Sequence, residues 1–450
     1  MTEPLSARLS AAPIRPSACP GLLRIVPALD GGICRIKLAG GVLTAAQAVA
    51  VADAAERFAG GVIEATNRGN LQIRGIGADH GGLIAALLAA GLGPSNPAGD
   101  DVRNLMLSPT VGLDPQQLFD ARPLATQILH SLENHPRFHE LSPKFALSLD
   151  GGEGLVMLEH PHDLWLSALT VGGETLLGFG LAGCPVSDSP VAAVPLVAGH
   201  ELVVAVLELF LDLATPEQNR MRQLLADISV EGFLQQLAAR LPQPFRMDAA
   251  ITGWRRAPIQ ADVHIGIYPQ AQPELCAVGA VVPLGRLQPS MLREAARLAL
   301  ELGDGSLVMT PWQSLMLRNV PTAKAEAALH GLQGAGLLGD AHQALAHAIA
   351  CTGSAACAKG LADTKADALR LAALLQDSGV RQAVHLSGCK RSCAAAHIAP
   401  ITLLALSAGH YDLYVRHADQ PGFGTLRGHD LTIEAVGALL TADARSSLDD

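Results

Sequence analysis

Cys351-Thr352-Gly353-Ser354-Ala355-Ala356-Cys357 and, further on, Cys389-Lys390-Arg391-Ser392-Cys393 set the frame for reading the chain. The first pair is spaced C-x5-C and the second C-x3-C, with a helix-like apolar segment between them. Iron–sulfur clusters take soft thiolate ligands, usually four, so two such loops can hold one cluster. The alternatives are four buried structural cysteines or a zinc site, although zinc knuckles favour shorter spacings within each pair. Lys390 and Arg391 either stabilise an anionic thiolate set or are surface charges.

Upstream, the chain repeats itself. Gly41, Leu43, Ala52, Ala55, Gly61, Thr66, Leu71 and Arg74 recur without a gap as Gly285, Leu287, Ala296, Ala299, Gly305, Thr310, Leu315 and Arg318. Each copy reads strand, helix, strand, short loop, strand, which implies a duplicated α/β half-domain. In the first copy, Asp30-Gly31-Gly32 turns a hairpin, and Thr44 caps an Ala-rich helix to residue 58. Strands follow at 62–65 and 71–74. Between the copies the pattern predicts a helix over 115–132 and strands at 144–149, 154–158, 164–170 and 174–179. Helices at 200–213 and 216–240 come next, then a proline-bearing linker at 241–262. After the second copy come a helix to about residue 333 capped by Thr322, a helix over 364–377, and strands at 383–386 and 401–406.

Composition bounds the function. The 450 residues are 49% hydrophobic and 16% charged, which supports about three domains with large cores. A formal charge of −10 and 3% aromatics argue against nucleic acid and anionic membranes as partners. The apolar run at 191–214 is interrupted by Pro195, His200, Glu201, Glu208 and Asp212, too often for a membrane span. Residues 1–16 are Ser/Ala/Pro-rich and expected to be mobile, with no secretory signal, so a reducing cytoplasm is expected. There, clustered cysteines point to metal or catalysis. Cys19, Cys34, Cys184 and Cys276 show no pairing pattern and read as small buried residues.

The cysteine spacing together with the two half-domains resembles the nitrite and sulfite reductase superfamily. Thr66-Asn67-Arg68-Gly69-Asn70-Leu71-Gln72 looks like its substrate loop, Arg103-Asn104 like its second arginine motif, and Leu141-Ser142-Pro143-Lys144-Phe145 like its lysine motif. The resemblance implies an α+β fold: two ferredoxin-like half-domains (18–90 and 255–335) and two α/β iron–sulfur/haem-type domains (91–245 and 336–450) in a pseudo-two-fold repeat. It implies a [4Fe–4S] cluster on Cys351, Cys357, Cys389 and Cys393. In haem-bearing relatives the cysteine matching Cys393 also bridges to the macrocycle metal.

One departure narrows the resemblance. Sirohaem reductases carry a second lysine two positions after the first, and here Lys144 is followed by Ala146. That change, the chain length and the Ala-Cys-Pro-Gly-Leu opening at 18–22 are similar to the precorrin-3B synthase family. The similarity implies oxygen-dependent oxidation of precorrin-3A in cobalamin biosynthesis, a monooxygenase reaction. It also implies a non-haem iron of unspecified ligands and an external electron donor, a reductase protein. A sirohaem-dependent sulfite or nitrite reductase is the alternative. A non-catalytic tetrapyrrole-binding iron–sulfur protein is a third reading.

A precorrin is a polycarboxylate, and arginine suits bidentate carboxylate contacts. The candidate catalytic residues are therefore Arg68, Arg103 and Lys144. The candidate substrate-binding set adds Asn67, Asn70, Arg74 and Arg318. Against this, the charges could be ordinary solvated ones, and Asn67 and Asn70 plain turn-formers. Two His and a carboxylate suit non-haem iron. His385 and His397 lie nearest the cysteines, and His160-Pro161-His162 is another pair, although most histidines are core or surface residues. Gly178-Phe179-Gly180-Leu181-Ala182-Gly183 fits G-x-G-x-x-G, but Cys184-Pro185 and the residues that follow read as loop, not the helix a dinucleotide site needs.

Overall fold

The computed structural model describes residues 19–417, 420 and 422–446; residues 1–16, expected to be mobile, lie outside these. Among the described residues there are four five-stranded sheets. In the first half-domain the sheet runs Val26–Ala28, Gly31–Ile36, Leu71–Ile76, Val62–Ala65, and then Arg286–Leu287 from the other copy. In the second it runs Gly266–Pro269, Leu275–Val281, Ser314–Pro321, Ser306–Met309, and then Val42–Thr44 from the first.

The two copies thus exchange the strand that leads into each long helix. Leu43 stands opposite Leu307, and Leu287 opposite Ile63. The order of elements matches expectation; the pairing across copies does not follow from periodicity. Gly41 makes the crossing possible: its φ is +76°, and a Cβ there would lie 2.0 Å from the Met309 carbonyl oxygen. Only glycine meets both demands.

Thr44 caps the helix Ala45–Phe58 with a reciprocal capping box, its Oγ1 accepting from the Gln47 N–H at 3.2 Å and Gln47 Oε1 from the Thr44 N–H at 3.0 Å. That helix packs on its counterpart, Pro289–Leu302. Ala48, Ala52 and Ala55 meet Ala295, Ala296 and Ala299 in one core shared by both half-domains. Small side chains let the helices approach closely, so the scarcity of aromatics has a structural use.

The other two sheets repeat one plan. One runs Leu105–Leu107, Leu147–Asp150, Leu164–Val171, Glu174–Leu181, Ala192–Pro195; the other runs Ala348–Ala350, Val384–Ser387, Ile401–Ser407, His410–Val415, Thr425–Thr432. In both, the first three strands are parallel and the rest antiparallel. Each covers a core of its own.

Several expectations change. Residues 154–158 form a buried loop, not a strand, because the Gly154 and Leu155 N–H groups donate to the Asp114 carboxylate instead of a neighbouring strand. The helix expected over 115–132 is Arg122–Asn134, starting at Arg122-Pro123. That over 216–240 is broken into Met221–Leu224 and Val230–Ala238, the second capped by Ser229. Thr322 opens a short 3-10 turn before Ala325–Gly334 rather than capping that helix. Gly178–Gly183 ends a strand and turns into a loop fastened by Asp188, which accepts from the Cys184 N–H. No helix opens there.

Candidate iron–sulfur and substrate site

Both cysteine loops leave the C-terminal ends of two adjacent parallel strands, Ala348–Ala350 and Val384–Ser387, where loops of parallel pairs gather ligands. The Gly388 N–H donates to Cys351 Sγ at 3.2 Å, and Thr364 Oγ1, which donates to the Cys351 carbonyl at 2.7 Å, lies 3.5 Å from the same sulfur. Loss of solvent around its sulfur, followed by the nearby thiols of Cys389, Cys351 and Cys357, pushes the Cys393 thiol above its ordinary range, although the residue as a whole is exposed. Four thiols therefore share one neighbourhood. Among the described residues no three His, Cys, Asp or Glu side chains meet closely enough to hold a single ion. A cluster of several irons spreads its ligands more widely, and the donor set fits it.

The first half-domain braces these loops. Thr66 Oγ1 accepts from the Arg68 and Asn70 N–H groups, and Gly69 sits at φ +66°, where a Cβ would lie 2.8 Å from the Met309 oxygen. This tight turn aims Asn67 at the C-x3-C loop, where its Nδ2 donates to the carbonyls of Cys393 (3.4 Å) and Ala394 (3.1 Å). Asn70 turns the other way and accepts from the Leu38 N–H at 2.8 Å. Arg74 is buried, paired with Asp30 at 3.0 Å, and donates to the Ala356 carbonyl inside the C-x5-C loop at 3.3 Å. Glu64 joins the same network: Lys365 lies at 3.1 Å, and Arg286 and Arg74 at 3.7 and 3.9 Å. Burial alone would raise the Glu64 carboxyl, but Lys365, Arg74 and Arg286 outweigh it and hold it below the ordinary range.

A cavity of about 160 Å³ lies against these groups, lined by Arg35, Asn67, Arg74, Lys365, Cys351 and Cys393 among others. Arg35 was not singled out from sequence. It projects from the hairpin strand, its guanidinium held by Gln72 Oε1 at 2.7 and 3.1 Å, and lies near the Cys19 and Cys393 thiols. A basic residue within an alternating apolar strand was the available signal.

The structure separates the remaining candidates. Arg68 is pushed down to about 10 by burial, with Arg220 and Arg35 adding to the effect and Asp163 opposing it. Asp163 is instead paired with Arg220 at 2.9 Å, and Arg68 has no ion pair among the described residues. Arg103 faces Glu133 (3.4 Å) and Asp100 (3.7 Å). Asn104 ties that loop to the lysine motif, donating to the Pro143 and Phe145 carbonyls at 3.0 and 3.1 Å. Lys144 is exposed, and Ala146 is fully buried with its N–H given to Asp163. Arg318, the counterpart of Arg74, bonds Ser306 Oγ in the other half-domain, away from the cysteines. His160 and His162 lie near Arg68, and His397, far from them in sequence, comes near both His160 and His385.

The equivalent place in the other half holds no thiols. Directly after its first parallel strand, Ser108 and Asp114 stand where the second half has Cys351 and Cys357. Asp114 accepts from Thr110 Oγ1 (2.7 Å) and the Tyr268 hydroxyl (2.9 Å), filling the space with hydrogen bonds.

Residues 27–90 and 268–335 match the nitrite/sulfite reductase ferredoxin-like half domain, and residues 98–245 match the nitrite and sulphite reductase 4Fe-4S domain. The chain belongs to the nitrite and sulphite reductase family. The second match falls on the half carrying Ser108 and Asp114, so it reports shared architecture rather than the cysteines themselves. A chloroplastic ferredoxin–nitrite reductase of Zea mays is 32% identical over 389 residues, covering 82% of this chain and 68% of that enzyme. A precorrin-3B synthase of Sinorhizobium sp is 30% identical over 413 residues, covering 90% of this chain and 84% of that protein. The structure of the Mycobacterium tuberculosis NirA protein superposes with a TM-score of 0.76 at 22% identity, over 92% of this chain and 80% of that one, a likeness of fold. No helix among the described residues is long and apolar enough to cross a membrane.

Proposed function

We propose that the protein converts precorrin-3A to precorrin-3B, hydroxylating a ring carbon with dioxygen and closing a γ-lactone, with a [4Fe–4S] cluster on Cys351, Cys357, Cys389 and Cys393. The observation that carries this reading is Ala146. Where sirohaem reductases aim a second lysine at a small oxyanion, this chain has a fully buried methyl group whose backbone is fastened to Asp163. Reduction of sulfite or nitrite needs cations and proton donors at that point. The likeness to the Sinorhizobium protein over 84% of its length supports the same reading.

In this reading Arg68, which has no carboxylate of its own, binds a substrate carboxylate. Arg35 and Arg74 hold the anionic cluster environment, and Asn67 fixes the loop of Cys393. When bound, the cluster supplies one-electron transfer. The chain's own groups exclude water and orient the macrocycle. Electrons come from an external donor, a reductase protein, in a cytoplasm where thiols stay reduced. The likeness to the Zea mays ferredoxin–nitrite reductase, over 82% of this chain, favours the second reading, a sirohaem-dependent reductase.

Anaerobically purified protein tests the choice. The proposal expects a cluster spectrum without sirohaem bands, and oxygen uptake coupled to precorrin-3A conversion that is lost in Cys389→Ser. A sirohaem spectrum with nitrite or sulfite turnover overturns it.

A further inference from the structure

Three parts of the fold meet on one buried carboxylate, Glu64. It stands on Val62–Ala65 in the first half-domain and is 7% exposed. Lys365, in the first turn of the helix Thr364–Leu375 beside the cysteine loops, reaches it at 3.1 Å. Arg286, on the strand lent by the second half-domain, lies at 3.7 Å. The hydroxyl of Thr352, next to Cys351, donates to Glu64 Oε1 over a long 3.4 Å. Lys365 Nζ also donates to the Leu284 carbonyl at 2.8 Å, joining the same three parts.

Holding the fold together does not require charge at this place. A buried ion pair gives up the hydration of both partners, and apolar residues of similar size often serve stability as well. What charge adds is a field. Glu64, Lys365, Arg35 and Arg74 line one cavity with Cys351 and Cys393, about 160 Å³ in volume. Glu64 is the one carboxylate among the described residues that line it. With Lys365, Arg74 and Arg286 around it, Glu64 keeps its negative charge. Buried charges are screened little by salt, so this field persists at ordinary ionic strength. A cluster takes on negative charge when reduced, and its potential follows the net charge nearby. Cations favour the reduced form, and a carboxylate opposes it.

We infer that Glu64 and its cation partners set the reduction potential of the cluster, with Glu64 lowering it and Lys365 and Arg286 raising it. The inference rests on the [4Fe–4S] cluster of the proposed function but not on the substrate named there.

Cluster-loaded, full-length protein is poised anaerobically with dithionite and redox dyes, and the reduced fraction is read by electron paramagnetic resonance. At separations on the order of 10 Å and an effective dielectric constant of about 20, one unit charge changes an equilibrium roughly tenfold. At one fixed potential, Glu64→Gln therefore raises the ratio of reduced to oxidised cluster roughly tenfold, which is about 59 mV for one electron. Lys365→Met and Arg286→Gln lower it. Arg297→Gln, on the exposed face of Pro289–Leu302, leaves it unchanged. Opposite signs separate charge from packing, because a loosened loop would move both kinds of variant the same way. Should Glu64→Gln not retain a cluster, the partly exposed Arg286→Gln decides the matter. A cluster whose potential is unmoved in these variants, or moves with one sign in all of them, overturns the inference and leaves the proposed function standing. Wild type without a cluster overturns both. Opposite shifts support the inference even if precorrin-3A is never turned over.

Discussion

Asn67→Ala removes the two hydrogen bonds that a half-domain loop makes to the cluster-bearing loop. The bond to the Ala394 carbonyl at 3.1 Å is an ordinary one, and that to the Cys393 carbonyl at 3.4 Å is long. Taking about 1 kcal/mol for the first and about half that for the second, the closed loop loses about 1.5 kcal/mol. If cluster loss proceeds through opening of this loop, that difference makes opening about tenfold more frequent. The assay is the decay of cluster absorbance in excess chelator under anaerobic conditions, in wild type and Asn67→Ala at equal protein concentration. Asn67→Asp sharpens the test by setting a carboxylate against two carbonyls, and loss should be faster still. Decay rates in both variants within experimental error of wild type would refute the idea that the half-domain braces the loop.

Two further outcomes are expected. His264 is buried against Trp312, ring centroids 4.9 Å apart, and burial, with nearby His347 adding to it, depresses its pKa to about 3. Its neutral form is favoured by folding, so its contribution is fully present above the unfolded value of about 6.5 and is lost as pH falls toward 3. At pH 5 this amounts to about 2 kcal/mol, and urea denaturation at pH 7.5 and pH 5 should show His264→Asn losing correspondingly less stability than wild type; parallel losses would contradict it. Gly69→Ala forces a Cβ against the Met309 carbonyl at positive φ and should cost about 1–3 kcal/mol in thermal denaturation, whereas an unchanged midpoint would mean that the turn relaxes freely.

What could be read from the chain alone was local. The N-cap at Thr44, the hairpin at Asp30 and the loop after Gly183 are set by neighbours in sequence, and the structure has them. Nearness of Arg35 to Cys393, or of His160 to His397, depends on contacts across hundreds of residues, which periodicity does not encode. Residues 154–158 misled for a related reason. An apolar run predicts burial, but a side-chain carboxylate, Asp114, took the hydrogen bonds a strand would have used. Arg103 shows that a basic residue in a substrate-like motif can be spoken for, here by Glu133 and Asp100.

The exchange of Val42–Thr44 and Arg286–Leu287 has a consequence for the history of the chain. Neither half closes its own sheet, so a gene encoding one half would yield a product complete only as an intertwined pair. Two such halves joined end to end become free to diverge, because each is held in place by the other's strand whatever happens at its own site. One partner could then surrender its thiols to Ser108 and Asp114 while still serving as scaffold for the one that kept them. Cutting the chain between residues 241 and 262 should leave two fragments that refold only when mixed.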